Sequence, residues 1–249
     1  MPALRLAEAG AVLDRLDPAV LFSDVDGTLV GRGGSLLAGL DGTPTLAAAE
    51  ALVEAGRAGL EVVLVSGRTA AQLREASRLL GLRDAIGEVG AVLVLGGTVE
   101  LQWGEAPRGV GATPAEAIER SGSLATVLDA FRGRLEPHAP WHEGRQGTAL
   151  LRGQVDAVEV DEVLAGAGFG WARLQDNGRL RGAYPHLGPA TTHAYHLAPA
   201  GVTKARAAAA YLARRGLAAG RAAAIGDAPA DLELAGVVGA MFLVANGAW

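Results

Sequence analysis

The chain has 249 residues, with no cysteine and a single lysine. The lack of cysteine excludes disulfides and thiolate metal sites. No stretch approaches the roughly 18 uninterrupted apolar residues of a membrane helix. The N-terminus lacks the basic stretch and apolar core of a signal peptide, so a cytoplasmic location is the default expectation. Excess positive charge is missing too: the net charge is −5, which argues against nucleic-acid binding through a basic face. What is present is apolar material, half of all residues. That suffices for one large domain or for a core domain with an insertion. Glycine is also plentiful, 36 residues spread along the chain, about twice the ordinary usage of roughly 7%. Of 22 basic residues only Lys204 is lysine. A GC-rich coding bias towards Arg, Ala and Gly accounts for the rest and makes a retained Lys informative. An ammonium is a compact point charge, whereas a guanidinium is a planar fork.

The apolar periodicity sets out the architecture. Residues 19–22 read as a short buried strand, followed by a loop over 27–34. Thr43-Pro44 predicts a helix start, with Thr43 as N-cap and Pro44 at the first helical position. Residues 61–65 are an apolar, β-branched strand, and 69–80 a helix that Gly81 ends. Residues 85–95 read as two short strands around Gly90. Strand and helix alternating at this spacing predict a parallel sheet with crossover helices. From about 97 to 196 the character changes: three of the four tryptophans and all five histidines fall here. This region reads as an α+β insertion, with strands at 149–151 and 171–174 and a helix over 155–165. The α/β rhythm then resumes with a helix at 202–215, a strand at 222–225, a helix at 229–235 and a strand at 240–245. The expectation is a Rossmann-like three-layer α/β core, residues 1–96 and 197–249, carrying an inserted cap, residues 97–196.

Two aspartates stand at the end of the first strand, in Leu21-Phe-Ser-Asp-Val-Asp-Gly-Thr-Leu29. Residues i and i+2 of an extended segment point the same way. Asp24 and Asp26 therefore converge at the carboxyl edge of the sheet, where open α/β folds bind ligands. Gly27 permits a sharp turn and a close approach of backbone N–H groups to an anion. Such a site suits phosphate-ester hydrolysis, among the slowest uncatalysed reactions. One carboxylate attacks as nucleophile and the other moves the proton. A cation must then offset the repulsion between carboxylate and phosphate, and Mg²⁺ suits these oxygen ligands. A bare Asp-X-Asp is more often a turn. The flanking apolar strand and the Gly-Thr that follows favour the chemical reading.

Three further segments fit. Ser66 ends the second strand, and its hydroxyl and the following N–H groups lie at a helix start, a natural anion site. Lys204, in Gly201-Val-Thr-Lys204, opens a helix after the insertion, where it can neutralise phosphate and the Asp24 carboxylate. Asp227, in Ala224-Ile-Gly-Asp-Ala-Pro-Ala-Asp231, sits at a strand end and suits a metal. Asp231 either binds metal or orients Asp227, and it also suits a helix N-terminus by the dipole.

In these four segments the chain resembles the haloacid-dehalogenase-like (HAD) superfamily, over about residues 19–96 and 197–246. The long insertion resembles its larger cap class, subfamily IIB, which includes Cof-like and sugar-phosphate phosphatases. The resemblance implies Asp24 as nucleophile, Asp26 as acid/base and Lys204 as the catalytic cation. It implies phosphate binding by Thr28, Ser66, Gly67 and Arg68. Mg²⁺ would be held by Asp24, Asp26, Asp227 and Asp231, with the Val25 carbonyl as a phosphate-side or metal contact. The substrate is expected to be a small phosphorylated metabolite, such as a sugar phosphate, with no nucleic-acid or membrane partner. Transfer to an acceptor other than water, or a silent phosphate-binding module, are the competing expectations. Three departures stand out. Many relatives carry Asn just before the second aspartate of the last motif, where this chain has Ala230. Ile86-Gly-Glu-Val-Gly-Ala91 resembles their Glu-Asn-Gly-Ala turn, with Val89 replacing Asn. The sequence stops at Asn246-Gly-Ala-Trp249, where relatives continue.

A cap excludes water and contacts the leaving group. Trp141-His-Glu-Gly-Arg145 resembles the stretch of sugar-phosphate phosphatase caps that faces substrate. Glu143 is thus a candidate for sugar hydroxyls and Arg145 for an anionic group, although an exposed loop and strand edge is the favoured explanation of both. Arg152, Asp176 and Asn177 are weaker candidates, and Asp176-Asn177-Gly178 reads as a tight hairpin turn. The histidines lack paired-ligand spacing and are not expected to bind metal.

Overall fold

A computed structural model describes residues 15–180 and 182–244, together with Gly10. Two sheets organise these residues. The larger has seven strands in the order β11-β10-β1-β2-β3-β4-β5. Its central strands are β1 (Val20–Asp24), β2 (Glu61–Val65) and β10 (Ala222–Gly226). β1 runs parallel to both β2 and β10, and β11 (Ala240–Leu243) extends the parallel set. At the other side β3 (Ala85–Gly87) joins in parallel. There the direction reverses, with β4 (Val92–Leu95) and β5 (Thr98–Leu101) antiparallel. The chain leaves β1 for β2 on one side and returns much later to β10 on the other. The carboxyl end of β1 is therefore a topological switch point, the place where open α/β sheets bind ligands.

Crossover helices α1 (Ala47–Arg57), α2 (Ala70–Leu80) and α6 (Lys204–Arg215) accompany these strands. Thr69 caps α2 in a reciprocal capping box with Gln72, and Gly81 ends it in the left-handed region at φ 71°. Both signals were legible in the residue types. Between the layers Phe22, Val63, Val65, Ile86, Tyr211 and Leu234 form a buried cluster. Phe22 meets Tyr211 edge-to-face, with centroids 5.5 Å apart. Burial of side chains this size contributes about 1.5–3 kcal/mol each.

The smaller sheet has four antiparallel strands, β6 (Leu135–Pro137), β7 (Ala149–Gly153), β9 (His193–Pro199) and β8 (Ala172–Arg179), in that order. Helices α3 (Pro114–Arg120), α4 (Ser123–Ala130) and α5 (Ala157–Gly166) accompany it. Its own core is built from Ile118, Val127, Phe131, Leu151, Leu164 and Leu197. The result is an α/β core with an inserted α+β cap. No helix among the described residues is long and apolar enough to cross a membrane.

Several local expectations need revision. Helix α1 starts at Ala47, three residues after Pro44, and its N-cap is Leu46. Pro44 instead makes an isolated antiparallel bridge with Ala38, and Thr45 N–H donates to Leu37 O at 3.1 Å. Extended pairing thus claims the segment that residue preference assigned to a first turn. Asp176-Asn177-Gly178 is not a hairpin turn: β8 runs through it to Arg179, with an irregular register between Asp176 and Arg179. The helix expected over 229–235 is split into α7 (Pro229–Leu232) and a 3₁₀ turn (Glu233–Gly236). A boundary after residue 96 would fall inside the β4–β5 hairpin, because Thr98–Leu101 pairs in the larger sheet. One at 196 would fall inside β9, which continues to Pro199 in the smaller sheet. The last expected strand ends at Leu243, and the reading of Asn246–Trp249 lies outside the described residues.

Candidate active site

Asp24 is the last residue of β1, flanked by the ends of β2 and β10. It is buried, with 6% of its surface exposed. Its Oδ1 accepts from Lys204 Nζ at 3.1 Å, while its Oδ2 is buried with no hydrogen-bond partner. A carboxylate oxygen left bare in the interior is costly, and its natural complement is a cation or an electrophile. Burial pushes the Asp24 carboxyl up to about 7; Lys204 opposes the shift, and Asp231 and Asp227 add to it.

Lys204 is the first residue of α6, and Thr203 caps that helix by accepting from Arg206 N–H. The ammonium is buried between two carboxylates, 3.1 Å from Asp24 Oδ1 and 2.6 Å from Asp231 Oδ1. Burial disfavours its charge, but Asp24 and Asp231 outweigh this and raise its pKa above the ordinary lysine value. Asp231 is fully buried. Its second oxygen accepts from the N–H groups of Asp227 and Ala228, at 3.1 and 3.0 Å. Both Asp231 oxygens are thus committed, one to the lysine and one to the turn that carries Asp227.

Asp24, Asp227 and Asp231 each present an oxygen within 4.8 Å of the others. Gly27 lies against this cluster at φ 98°. A Cβ there would collide with the Asp227 carboxylate, so only glycine fits the turn. Burial first, and Asp231 second, raise the pKa of Asp227. A bare buried oxygen on Asp24 beside a second carboxylate fits a hard divalent cation such as Mg²⁺. Asp24 and Asp227 are the residues that could hold it. Asp26 is not part of the cluster. Arg68 grips it with a two-pronged pair, Nε to Oδ2 at 2.9 Å and a terminal nitrogen to Oδ1 at 2.6 Å.

The remaining expected residues divide sharply. Ser66, Gly67 and Arg68 line one cavity of about 720 Å³ with Asp24, Lys204 and Asp227. Ser66 Oγ accepts from Arg68 N–H at 3.3 Å, folding the turn. Thr28 Oγ1 is buried and unpartnered, and Thr28 does not line that cavity. The Val25 carbonyl accepts from the N–H groups of Thr28, Leu29 and Val30 at 3.4, 3.0 and 2.8 Å. It closes the loop after β1, which corrects the expectation of a phosphate or metal contact. From the cap, Arg145 reaches the site and donates to Gly67 O at 2.9 Å. Glu143 is exposed and outside the cavity lining.

Sequence reasoning passed over two residues here. Glu88 is fully buried and accepts from the N–H groups of Gln146, Gly147 and Thr148 at 3.0, 3.0 and 2.9 Å. It joins the core turn to the cap. Its neighbour Val89 sits at φ 52°, where a β-branched residue is strained and Asn is tolerated. The departure noted at Val89 was therefore a usable signal. The second is His196, on β9, whose ring lines the same cavity; no spacing rule marks it.

No family model and no curated protein matches this sequence. Solved structures do match. A protein from Thermoplasma acidophilum is 18% identical, at a TM-score of 0.64, over 92% of this chain and 85% of its own. The sucrose-phosphatase of Synechocystis, solved with sucrose and phosphate, is 19% identical at 0.59, over 91% and 82%. A haloacid dehalogenase-like hydrolase from Bacteroides thetaiotaomicron is 15% identical at 0.62, over 92% and 89%. The fold is haloacid-dehalogenase-like. Within that fold the four motif residues Asp24, Ser66, Lys204 and Asp227 meet at one cavity.

Proposed function

We propose that this chain is a Mg²⁺-dependent phosphatase of the haloacid-dehalogenase-like type that hydrolyses a small phosphate monoester through an aspartyl-phosphate on Asp24. The observation that carries the reading is the state of Asp24. It has one oxygen held by a buried lysine and the other bare, at the switch point of a parallel sheet. A merely structural aspartate would have both oxygens satisfied.

Asp24 Oδ2 attacks phosphorus as the ester P–O bond breaks. Asp26 donates the proton that the leaving alkoxide takes. Water then attacks the acyl-phosphate and gives its proton to Asp26, which restores both carboxyl groups and releases inorganic phosphate. Lys204 fixes Asp24 and offsets charge that builds on the phosphoryl oxygens. Ser66 and the N–H groups after it bind a non-bridging oxygen at the start of α2. Asp231 orients Lys204 and the Asp227 turn. Mg²⁺, when bound by Asp24 and Asp227, supplies charge neutralisation between carboxylate and phosphate. Arg68 must leave Asp26 during proton transfer, and an incoming phosphate dianion is a competing partner for its fork. The cap domain, about residues 103–199 on the strand pairing, closes the cavity over the leaving group. Sucrose-phosphatase shares the fold, and the polar cap wall suits a sugar or polyol phosphate.

The test is hydrolysis of para-nitrophenyl phosphate and a panel of phosphorylated metabolites with Mg²⁺, with and without EDTA. Mg²⁺-dependent phosphate release that D24N abolishes is the expected outcome. A folded, metal-loaded protein that turns over no ester in the panel would refute the reading.

A further inference from the structure

Among the polar cap residues that line the cavity is a histidine with no part in the hydrolytic steps. His196 is fully buried in the middle of β9. Its Nδ1 is 2.9 Å from Thr148 Oγ1. The same hydroxyl lies 3.1 Å from Glu88 Oε2, an oxygen that already accepts the N–H groups of Gly147 and Thr148. A threonine hydroxyl has one proton, and a carboxylate can only accept. The hydroxyl proton therefore goes to Glu88, and the hydroxyl oxygen accepts from His196 Nδ1–H. In a neutral imidazole the lone pair is then on Nε2. Burial, with Arg145 and Lys204 nearby, moves the imidazole well below its ordinary pKa and keeps it neutral.

Nε2 is buried and without a hydrogen-bond partner. Its direction is given by Gly67: a Cβ built there would lie 2.8 Å from His196 Nε2 and 2.8 Å from Asn177 Nδ2. The bare nitrogen thus stands over the turn that follows Ser66, from the cap side of the cavity. That is where the group attached to a phosphate held by the turn must emerge. A lone pair at this position repels a second phosphate or carboxylate and welcomes a donor.

We propose that His196 is a substrate-recognition residue, and that its Nε2 accepts a hydrogen bond from a hydroxyl on the leaving group of the ester. The tautomer is set by the Glu88–Thr148 pair. The assignment rests on the phosphatase reading of Asp24, but it is tested without turnover. In ¹⁵N-histidine-labelled D24N protein, His196 Nδ1 should be protonated and Nε2 unprotonated. T148S should keep this pattern, and T148V should lose it. Adding glucose 6-phosphate, mannose 6-phosphate or glycerol 1-phosphate should shift the Nε2 resonance for at least one ester, and phenyl phosphate should not. In the active protein, H196F should lower kcat/KM for the responding ester at least tenfold more than for phenyl phosphate, mainly through KM. A protonated Nε2 overturns the proposal, as does an Nε2 resonance that ignores every hydroxylated ester, or an equal loss on both ester types. If the shift is seen but the unmutated protein hydrolyses nothing, the hydroxyl site stands and the phosphatase reading fails.

Discussion

The two walls of the cavity are built on different principles. On the core side, Asp24, Ser66 and Asp227 stand at or just beyond the ends of three neighbouring parallel strands, and Lys204 opens a helix. On the cap side, Arg145, Asn177 and His196 come from a loop and two antiparallel strands, where Gln175 pairs with His196. The core wall places charge: four ionisable groups in contact, with the lysine buried between two carboxylates. The cap wall places separate groups, a guanidinium, an amide and a buried imidazole, that do not pair with one another in a cluster. A parallel sheet puts its strand ends on one edge by construction, so chemistry there survives wide drift in sequence. An antiparallel cap sheet has no such edge, and its contacts depend on register.

This contrast can be broken most severely at Asp24. D24N should lower turnover by about 10⁶-fold, in effect abolishing it, while leaving folding intact, since losing a nucleophile costs on that scale. Circular dichroism and phosphate release check both halves. K204A should come next, at about 10²–10³-fold in kcat. It also leaves Asp24 and Asp231 buried without their shared cation, for about 3–5 kcal/mol of stability. Urea unfolding of K204A beside D24N would separate the two effects.

The core wall also makes a prediction about protons. With no metal, Asp24 holds its proton up to about pH 7 because burial raises its pKa. A Mg²⁺ ligand must be ionised. Falling pH therefore weakens Mg²⁺ binding, by up to about tenfold per unit below pH 7, and binding at pH 6 releases about one proton per ion. Calorimetry in buffers of different ionisation heat measures this. Affinity that is flat from pH 5 to 8 would show that Asp24 is not a ligand.

Where the walls meet, Gly67 allows no side chain. G67A should push Asn177 and His196 back and cost about 1–3 kcal/mol by overpacking. It should raise KM for a bulky ester more than for phenyl phosphate. The smallest effect is expected at Glu143, exposed and outside the cavity. E143A should change kcat/KM by less than about twofold, as a surface substitution does.

The same contrast explains what the sequence could reveal. The core strands, the capped helix after Thr69 and the motif residues are local patterns, each readable within about ten residues. The lone lysine pointed to a site that the fold then supplied. Less legible were features that depend on distant pairing. β5 and the run of β8 through Asp176-Asn177-Gly178 are set by partner strands, which override the turn preference of those residues. The delay of α1 to Ala47 has the same origin, in the bridge between Ala38 and Pro44. Glu88 lies in a turn whose likeness to Glu-Asn-Gly-Ala hinted at it, and His196 carries no motif of its own. Their roles come from meeting Thr148, which is 60 and 48 residues away in sequence.

Lys204 has one more consequence, for handling the protein at the bench. It is the only side-chain amine in the chain, and it is 4% exposed. Acylating reagents that ordinarily decorate a protein's surface find no lysine there. An acyl group on Lys204 would then report that the interior beside Asp24 had opened. Counting acyl groups by mass spectrometry turns a quirk of composition into a clock for the breathing of the active site, and a bound phosphate ester should slow that clock.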